Sequence, residues 1–338
     1  MSQLTTQRVD GKALRQLVER IFQQEGLSNE DAAVVADSLV AADERGVYSH
    51  GVMRVATYVK ALRSGGMRAD ARPSVVSNEG ANAVIDGQWT MGQVGSNRAM
   101  VLAIEKAREH GVGLVGLRNS HHCGAMAYWA MMALPADCIG FATTNAGMNM
   151  APWGGVDKII GNNPFAVAIP TNRDWPMVLD MATSVVAGGK LDIASIRGQK
   201  IPLDWALGPD GQPTDDPRQA RLGTLLPVGG PKGYGMAVML DVLAGVLTGA
   251  RFGGGLGPGG SGQFFMAIRV DAFMPVVEFK SRMDEMIDQI NHSTRAEGVE
   301  RIYVPGEIEF DLQRRRETEG LLVESAIMEE LESLAGPK

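Results

Sequence analysis

The sequence predicts an α/β protein headed by an N-terminal helical layer. Three observations support that class: the opening stretch carries apolar residues only at helical spacing, short apolar runs then alternate with longer amphipathic stretches, and 42 glycines punctuate the whole. At roughly 100 to 200 residues per domain, a chain of 338 residues suits one large domain or two closely packed ones.

From residue 11 to about 26, Leu14, Leu17, Val18, Ile21 and Phe22 recur at helical spacing, and Ser28 with Asp31 forms a capping pattern that opens a second helix. A third helical pattern starts near Gly51, runs through Val55, Tyr58, Val59 and Leu62, and stops at Ser64, Gly65 and Gly66. Residues 74–77 and 83–86 read as strands, 92–110 as an amphipathic helix stopped by Gly111, and 112–117 as a buried strand. The polar turn Arg118, Asn119, Ser120, His121, His122 then leads through Gly124 into a helix ending near Pro135. Strands are expected at 139–143, 165–169 and 177–179, followed respectively by Thr144 and Asn145, by Pro170 to Asn172, and by Asp180 to Ser184. Convergence of these three strand ends on one pocket is the expected site architecture. Further on, 207–227 reads as a surface excursion, 233–248 as an apolar helix, 253–262 as a flexible glycine-rich loop and 263–270 as a strand. A helix over 281–292 and an exposed helix over 321–334 complete the pattern.

Composition narrows the function. Lys and Arg number 32 against 39 Asp and Glu, a net charge of −7, which argues against a nucleic-acid partner. With 45% hydrophobic and 21% charged residues the chain is not disordered, and no apolar run reaches the ~18 residues of a membrane span. The opening MSQLTTQRVDGKALRQLVERI has no secretory signal pattern, so a soluble, cytoplasmic protein is expected. Cys123 and Cys138 form no C-x-x-C motif, and His121, His122 and Cys123 lack further ligands at metal spacing, so neither a disulfide nor a metal site is expected.

Gly255, Gly257 and Gly260 match G-x-G-x-x-G, the dinucleotide fingerprint, but that motif needs a strand before it and a helix after it. Here the order is reversed, so the match is rejected, and Lys232 followed by Gly233 makes no P-loop. Any nucleotide must therefore be bound by another fold. Ser49, His50, Gly51 and Arg54 put a titratable imidazole and a carboxylate fork one turn apart. On spacing alone, a surface histidine and a solvated arginine is the simpler reading. Adjacent His121 and His122 on an extended turn point to opposite sides, so only one of them faces a given site. Lys232 at a helix start after Gly229 and Gly230 suits a phosphate, and Asp180 and Thr183 read equally as helix caps.

Read together, SHGVMRVATYVKAL, NSHHCGAMAYWA, GNNPFAVAIP, LDMATSVVAGGK, GQKIPLDWALGPDGQPTDDP, KGYGMAVMLDVLAG and the late PGE resemble the second malate/L-lactate dehydrogenase family. Its relatives include ureidoglycolate and sulfolactate dehydrogenases, diketogulonate reductase and reductases of cyclic imino acids. The resemblance implies a non-Rossmann NAD(P)-binding α/β fold of the sulfolactate dehydrogenase type, with NAD or NADP as cofactor. It also implies a small carboxylic acid as substrate and a homodimer with the site near the subunit interface. The expected division is a helical, substrate-side region of residues 1–115 with 295–338 and an NAD(P)-binding domain of 116–294.

Carried over by motif, His50, with Ser49 beside it, and His122 would be acid/base residues, and Arg54 would hold the substrate carboxylate. Asp180, Met181 and Ala182 would line the nicotinamide end, with Asp180 in a proton relay to a histidine. Asn145, Thr183, Lys232, Gly233, Gly306 and Glu307 complete the expected cofactor set. Substrate selectivity is assigned to Tyr48, Met148 and the loop 253–262, read as a mobile lid. Pro231, Gly188 and Gly189 depart from the His and Arg that many relatives carry there, which leaves NAD against NADP open. Hydride transfer to or from a 2-hydroxy or 2-oxo acid is the expected chemistry; reduction of a cyclic imino acid and a non-catalytic nucleotide sensor are the alternatives.

Overall fold

The computed structural model describes residues 5–257 and 259–336, so Pro258 of the glycine-rich loop and the first four residues of the opening lie outside the described residues. Strand β1 (Thr6–Val9) leads into helices α1 (Gly11–Gln24) and α2 (Asn29–Glu44). Asp10 caps α1 by accepting the Ala13 N–H at 2.8 Å, and Ser28 caps α2 by accepting that of Asp31 at 3.2 Å. Two short 3-10 turns, Tyr48–His50 and Val52–Arg54, then precede α3 (Val55–Arg63). The apolar faces of these helices bury Leu14, Val18, Ile21, Phe22, Val35, Leu39, Tyr58 and Val59 in one core, the expected helical layer.

The middle of the chain builds the sheet. Strands β2 (Ser74–Glu79) and β3 (Asn82–Asp86) form a hairpin, followed by α4 (Gly92–His110), β4 (Val112–Ser120) and α5 (Met126–Met131). Strands β5 (Cys138–Thr144), β6 (Phe165–Ile169) and β7 (Met177–Met181) follow. An excursion of α6 (Gly188–Ile196), β8 (Ala206–Leu207), α7 (Pro217–Leu222) and β9 (Thr224–Leu225) then leads into α8 (Pro231–Asp241), which runs on as a π-turn over Val242–Val246. After β10 (Ser261–Arg269) come α9 (Val276–Asn291), α10 (Glu307–Glu319), β11 (Leu321–Glu324) and α11 (Ser325–Ala335).

The seven-stranded sheet has the order β2-β3-β4-β10-β5-β6-β7, in which β3 and β4 are parallel and every other pair is antiparallel. Helices α4 and α5 cover one core of this sheet, around Val115, Leu117, Trp129, Ala142 and Phe265. A Rossmann sheet is parallel, so this α/β fold is of another kind, as expected. The loop holding Gly255, Gly257 and Gly260 runs from α8 and its π-turn into β10, the reversed context that ruled out the fingerprint.

Register corrects the expected convergence. Ser261 pairs with Ser120, Gln263 with Thr144, and Phe165 with both Thr143 and Met181. The last residues of β4, β5 and β7 therefore share one sheet edge, whereas β6 runs the other way and delivers Pro170 to Asn172 to the opposite edge. Its start, with Asn162 and Asn163, takes the place those residues were expected to fill.

A second correction concerns the C-terminal segment. Residues 321–324 are a strand, with Leu321 and Val323 buried and Leu322 and Glu324 outward, and they pair antiparallel with β1. The following α11 buries Met328, Leu331 and Ala335 in the helical layer, so it is not an exposed helix. The glycine-rich loop is tied down at Gly260, whose N–H reaches Ser120 O at 2.9 Å, and at Gly253, whose N–H reaches Asp241 Oδ2 at 3.0 Å. The expected boundary between residues 115 and 116 falls inside β4. Among the described residues no helix is long and apolar enough to cross a membrane.

Candidate active site

The turn that carries Ser49, His50 and Gly51 is moulded around one buried carboxylate. Asp43, near the end of α2, accepts the Val52 N–H at 2.8 Å, and its Oδ1 would lie 1.9 Å from a Cβ placed on Gly51. Burial pushes the Asp43 carboxyl up to about 7, against the opposing pull of that N–H and of Arg316. Arg316 on α10 also hydrogen-bonds the Asp43 carbonyl and the Tyr48 hydroxyl, with its guanidinium 4.9 Å above the Tyr48 ring. Gly51→Ala is therefore expected to displace the turn, cost about 1 to 3 kcal/mol in urea unfolding as other overpacked sites do, and remove most activity. Wild-type stability and turnover in that variant would show that the turn tolerates a methyl group.

On this turn Ser49 Oγ lies 2.9 Å from His50 Nδ1, and Arg54 Nε donates to Ser49 O at 2.6 Å. That bond aims the guanidinium while leaving its terminal nitrogens out of any ion pair among the described residues. His122, beyond the end of β4, stacks on His50 with ring centroids 5.3 Å apart and planes 24° apart. Tyr58 on α3 reaches His122 Nδ1 at 2.5 Å. His121 turns the other way, edge-on to Trp89 at 5.9 Å, as the alternation of an extended turn requires.

Burial and the Arg54 charge push His50 down to about 4. Burial, His50 and Arg54 push His122 down to about 3. Both rings are thus neutral at physiological pH. Asp180, at the end of β7, accepts the Ala127 N–H at 2.9 Å and is pushed up to about 6 by burial, which outweighs that bond and the attraction of Arg45. Water reaches both His122 and Asp180, yet the protein around them is dense enough to disfavour their charged forms. Each side chain is thus open to water on one side and walled by protein on the other. Among the described residues no hydrogen bond joins Asp180 to a histidine, so a relay between them is not direct.

The remaining expected residues divide in two. Thr183 is fully buried three residues beyond Asp180, its Oγ1 has no partner among the described residues, and a Cβ on Gly233 would lie 2.9 Å from its carbonyl, so the start of α8 abuts this strand end. Lys232 is exposed there, and Met181 and Ala182 lie between. Gly189, at the start of α6, would place a Cβ 3.3 Å from that of Ser49, which closes the path from Asp180 back to the histidines. By contrast Asn145 spends its side chain on Asp241 Oδ1, Arg251 O and the Gly262 N–H, at 2.9, 2.8 and 2.9 Å. Glu307 is likewise bound to Arg301 and to the Val304 N–H, and Gly306 (φ +87°) packs against Val178 of β7. Among the described residues, the side chains of Asn145 and Glu307 are engaged by the frame around them. Tyr48 is tied to Arg316, while Met148 is 40% exposed on the loop leaving β5.

Likeness to known proteins extends over the whole chain. A malate dehydrogenase of Pyrococcus abyssi is 39% identical over 97% of this chain and 94% of its own length. An L-sulfolactate dehydrogenase of Methanocaldococcus jannaschii is 39% identical over 95% and 94%. The crystal structure of delta1-piperideine-2-carboxylate reductase from Pseudomonas syringae superposes with a TM-score of 0.88 at 30% identity, covering 97% of this chain and 100% of that one. Fold and relatives together define an oxidoreductase enzyme. The chain belongs to the malate/L-lactate dehydrogenase family, whose profile matches residues 9–332. Dehydrogenases of this family use a nicotinamide cofactor.

The structure fits such a group. The first backbone N–H groups of α8 are free of helical partners by geometry, Lys232 adds a cation, and the unpaired Thr183 Oγ1 lies alongside. The sequence reading placed Tyr58 in the apolar pattern of the third helix and not in the site. Its signal was available, since it follows Arg54 by four residues on the same helical face, but its partner His122 is 64 positions away.

Proposed function

We propose that the protein interconverts a small 2-hydroxy carboxylic acid and the corresponding 2-oxo acid by hydride transfer at the α-carbon. The observation that carries this reading is the pair of stacked neutral histidines beside an arginine with its fork unspent. Arg54 holds the substrate carboxylate through two parallel N–H donors, which fixes the α-carbon and its oxygen beside the imidazoles. A neutral imidazole accepts the alcohol proton, and in reverse the protonated ring returns it to the oxygen. The nicotinamide, when bound, supplies or takes the hydride. Asp180, Met181 and Ala182 lie at the nicotinamide end of the cofactor, and Lys232 with the Gly233 N–H serves its phosphates, with Thr183 buried behind them. Two copies associate through the exposed apolar face of α8 and its π-turn, where Met236, Met239, Val242, Val246 and Leu247 are 37–61% exposed. Sedimentation at a single-chain mass would remove that last part.

The test is a nicotinamide absorbance assay with NADH and NADPH, each against 2-oxo acids and cyclic imino acids, and with NAD and NADP against hydroxy acids of the malate, lactate, sulfolactate and ureidoglycolate types. Turnover of a 2-oxo or 2-hydroxy acid is expected with one cofactor preferred. An amine product from the imino acids alone would replace this reading by its alternative, and cofactor binding with no turnover across the panel would favour a sensor.

The pH profile follows from the shifted groups. His50 stays neutral until pH falls towards about 4, so oxidation keeps its base well below the ordinary imidazole value of 6.5. A limb of kcat/KM near pH 6 is expected to belong to Asp180 and to vanish in Asp180→Asn. A limb near pH 6 that survives in Asp180→Asn would assign it elsewhere.

A further inference from the structure

Both polar contacts that the His122 ring makes among the described residues fall on one nitrogen. Nδ1 lies 2.5 Å from the Tyr58 hydroxyl and 3.4 Å from the Gly124 N–H. A backbone N–H only donates, so Nδ1 is an acceptor and carries no proton. Burial holds the ring neutral, and a neutral imidazole has one ring proton, which therefore sits on Nε2. The Tyr58 hydroxyl consequently donates to Nδ1 as well, and burial keeps that phenol protonated by pushing its pKa up. Nε2 has no partner among the described residues.

We infer that Tyr58 is a positioning residue that locks His122 as the Nε2–H tautomer, so that His122 donates a hydrogen bond to the substrate oxygen while His50 carries the proton. This rests on the hydride-transfer reading above. A ring whose substrate-side nitrogen already bears a proton cannot accept another there, and its second nitrogen is occupied by two donors. His122 is thus unsuited to be the base in oxidation. As a fixed donor it stabilises the charge that develops on the oxygen, the role of an oxyanion-hole group. His50 differs: among the described residues its Nδ1 meets only the Ser49 hydroxyl, which can donate or accept, so its ring can take up and release a proton.

Nitrogen-15 NMR of histidine-labelled protein reads the tautomer without any need for turnover. In the wild type the His122 signals should show an unprotonated Nδ1 and a protonated Nε2, and in Tyr58→Phe the Nδ1–H form should become populated. With it, kcat should fall roughly tenfold at unchanged KM, a fraction of the roughly 10² to 10³-fold that a lost oxyanion donor costs. An amide can donate but cannot take a proton, so His122→Gln should keep kcat within about tenfold of wild type while His50→Gln loses the roughly 10² to 10⁴-fold worth of an acid–base group. A protonated Nδ1 in the wild type, a Tyr58→Phe variant matching it in tautomer and kcat, or equal losses in the two glutamine variants would overturn the inference. Absence of turnover with every hydroxy acid, with the Nε2–H tautomer still seen, would count against the hydride-transfer reading alone.

Discussion

His50→Ala is expected to lower kcat by roughly 10² to 10⁴-fold in both directions, the usual worth of a positioned acid–base group. KM should change little, because the carboxylate clamp is a different side chain on the next turn. The fold should survive, since His50 is only partly buried and, among the described residues, its one side-chain hydrogen bond is to its neighbour Ser49. Steady-state rates for oxidation and reduction, taken with a thermal melt, would separate these effects. An unchanged kcat would remove His50 from the chemistry and reassign the proton to a group outside the turn.

Arg54→Leu is the complementary case. Truncating one partner of a desolvated charge pair costs about 2 to 5 kcal/mol, roughly 30- to 5000-fold in kcat/KM. The lower part of that range is expected here, because the guanidinium is only partly buried. Most of the loss should fall on KM, since the clamp holds substrate before and during the transfer. Arg54→Lys should recover little, because a lysine offers a point charge in place of two parallel donors. Equal kcat/KM in the leucine variant would mean that the acid group is held elsewhere or that the substrate has none.

The sequence was most informative where structure is local. Helix α4 was expected over residues 92–110 and spans Gly92–His110, because Gly111 terminates it in the left-handed region (φ +84°) and its apolar residues keep one period. Strand β6 was likewise expected at 165–169 and found there. Helix α10 was not anticipated: EIEFDLQRRRETE has no apolar stripe, and Glu307 is the one buried residue in it. Yet α10 supplies Arg316, which braces the histidine turn. Strand β11 was missed because four residues of alternation are too short to outweigh the helical pattern that follows. Pairings between distant segments were not legible either. Nothing local says that β10 inserts between β4 and β5, or that Tyr58 meets His122. For the site, motif likeness singled out His50, Arg54, His122 and Asp180, of which the structure stacks the two histidines on each other and holds Asp180 against the Ala127 N–H, but it could not show that the side chains of Asn145 and Glu307 are engaged by the frame.

The pairing of β1 with β11 sets an order of events during synthesis. Leu14, Val18, Ile21 and Phe22 are made before the sheet, but Leu321, Val323, Met328 and Leu331, which complete their core, are made after it. The central sheet has all its strands once Arg269 has been made. A growing chain can therefore form its sheet while the helical layer still exposes an open apolar face, a condition that invites chaperones. The turn bearing Ser49 and His50 hangs on that layer, so its shape is settled only when the C-terminal segment has joined the helices.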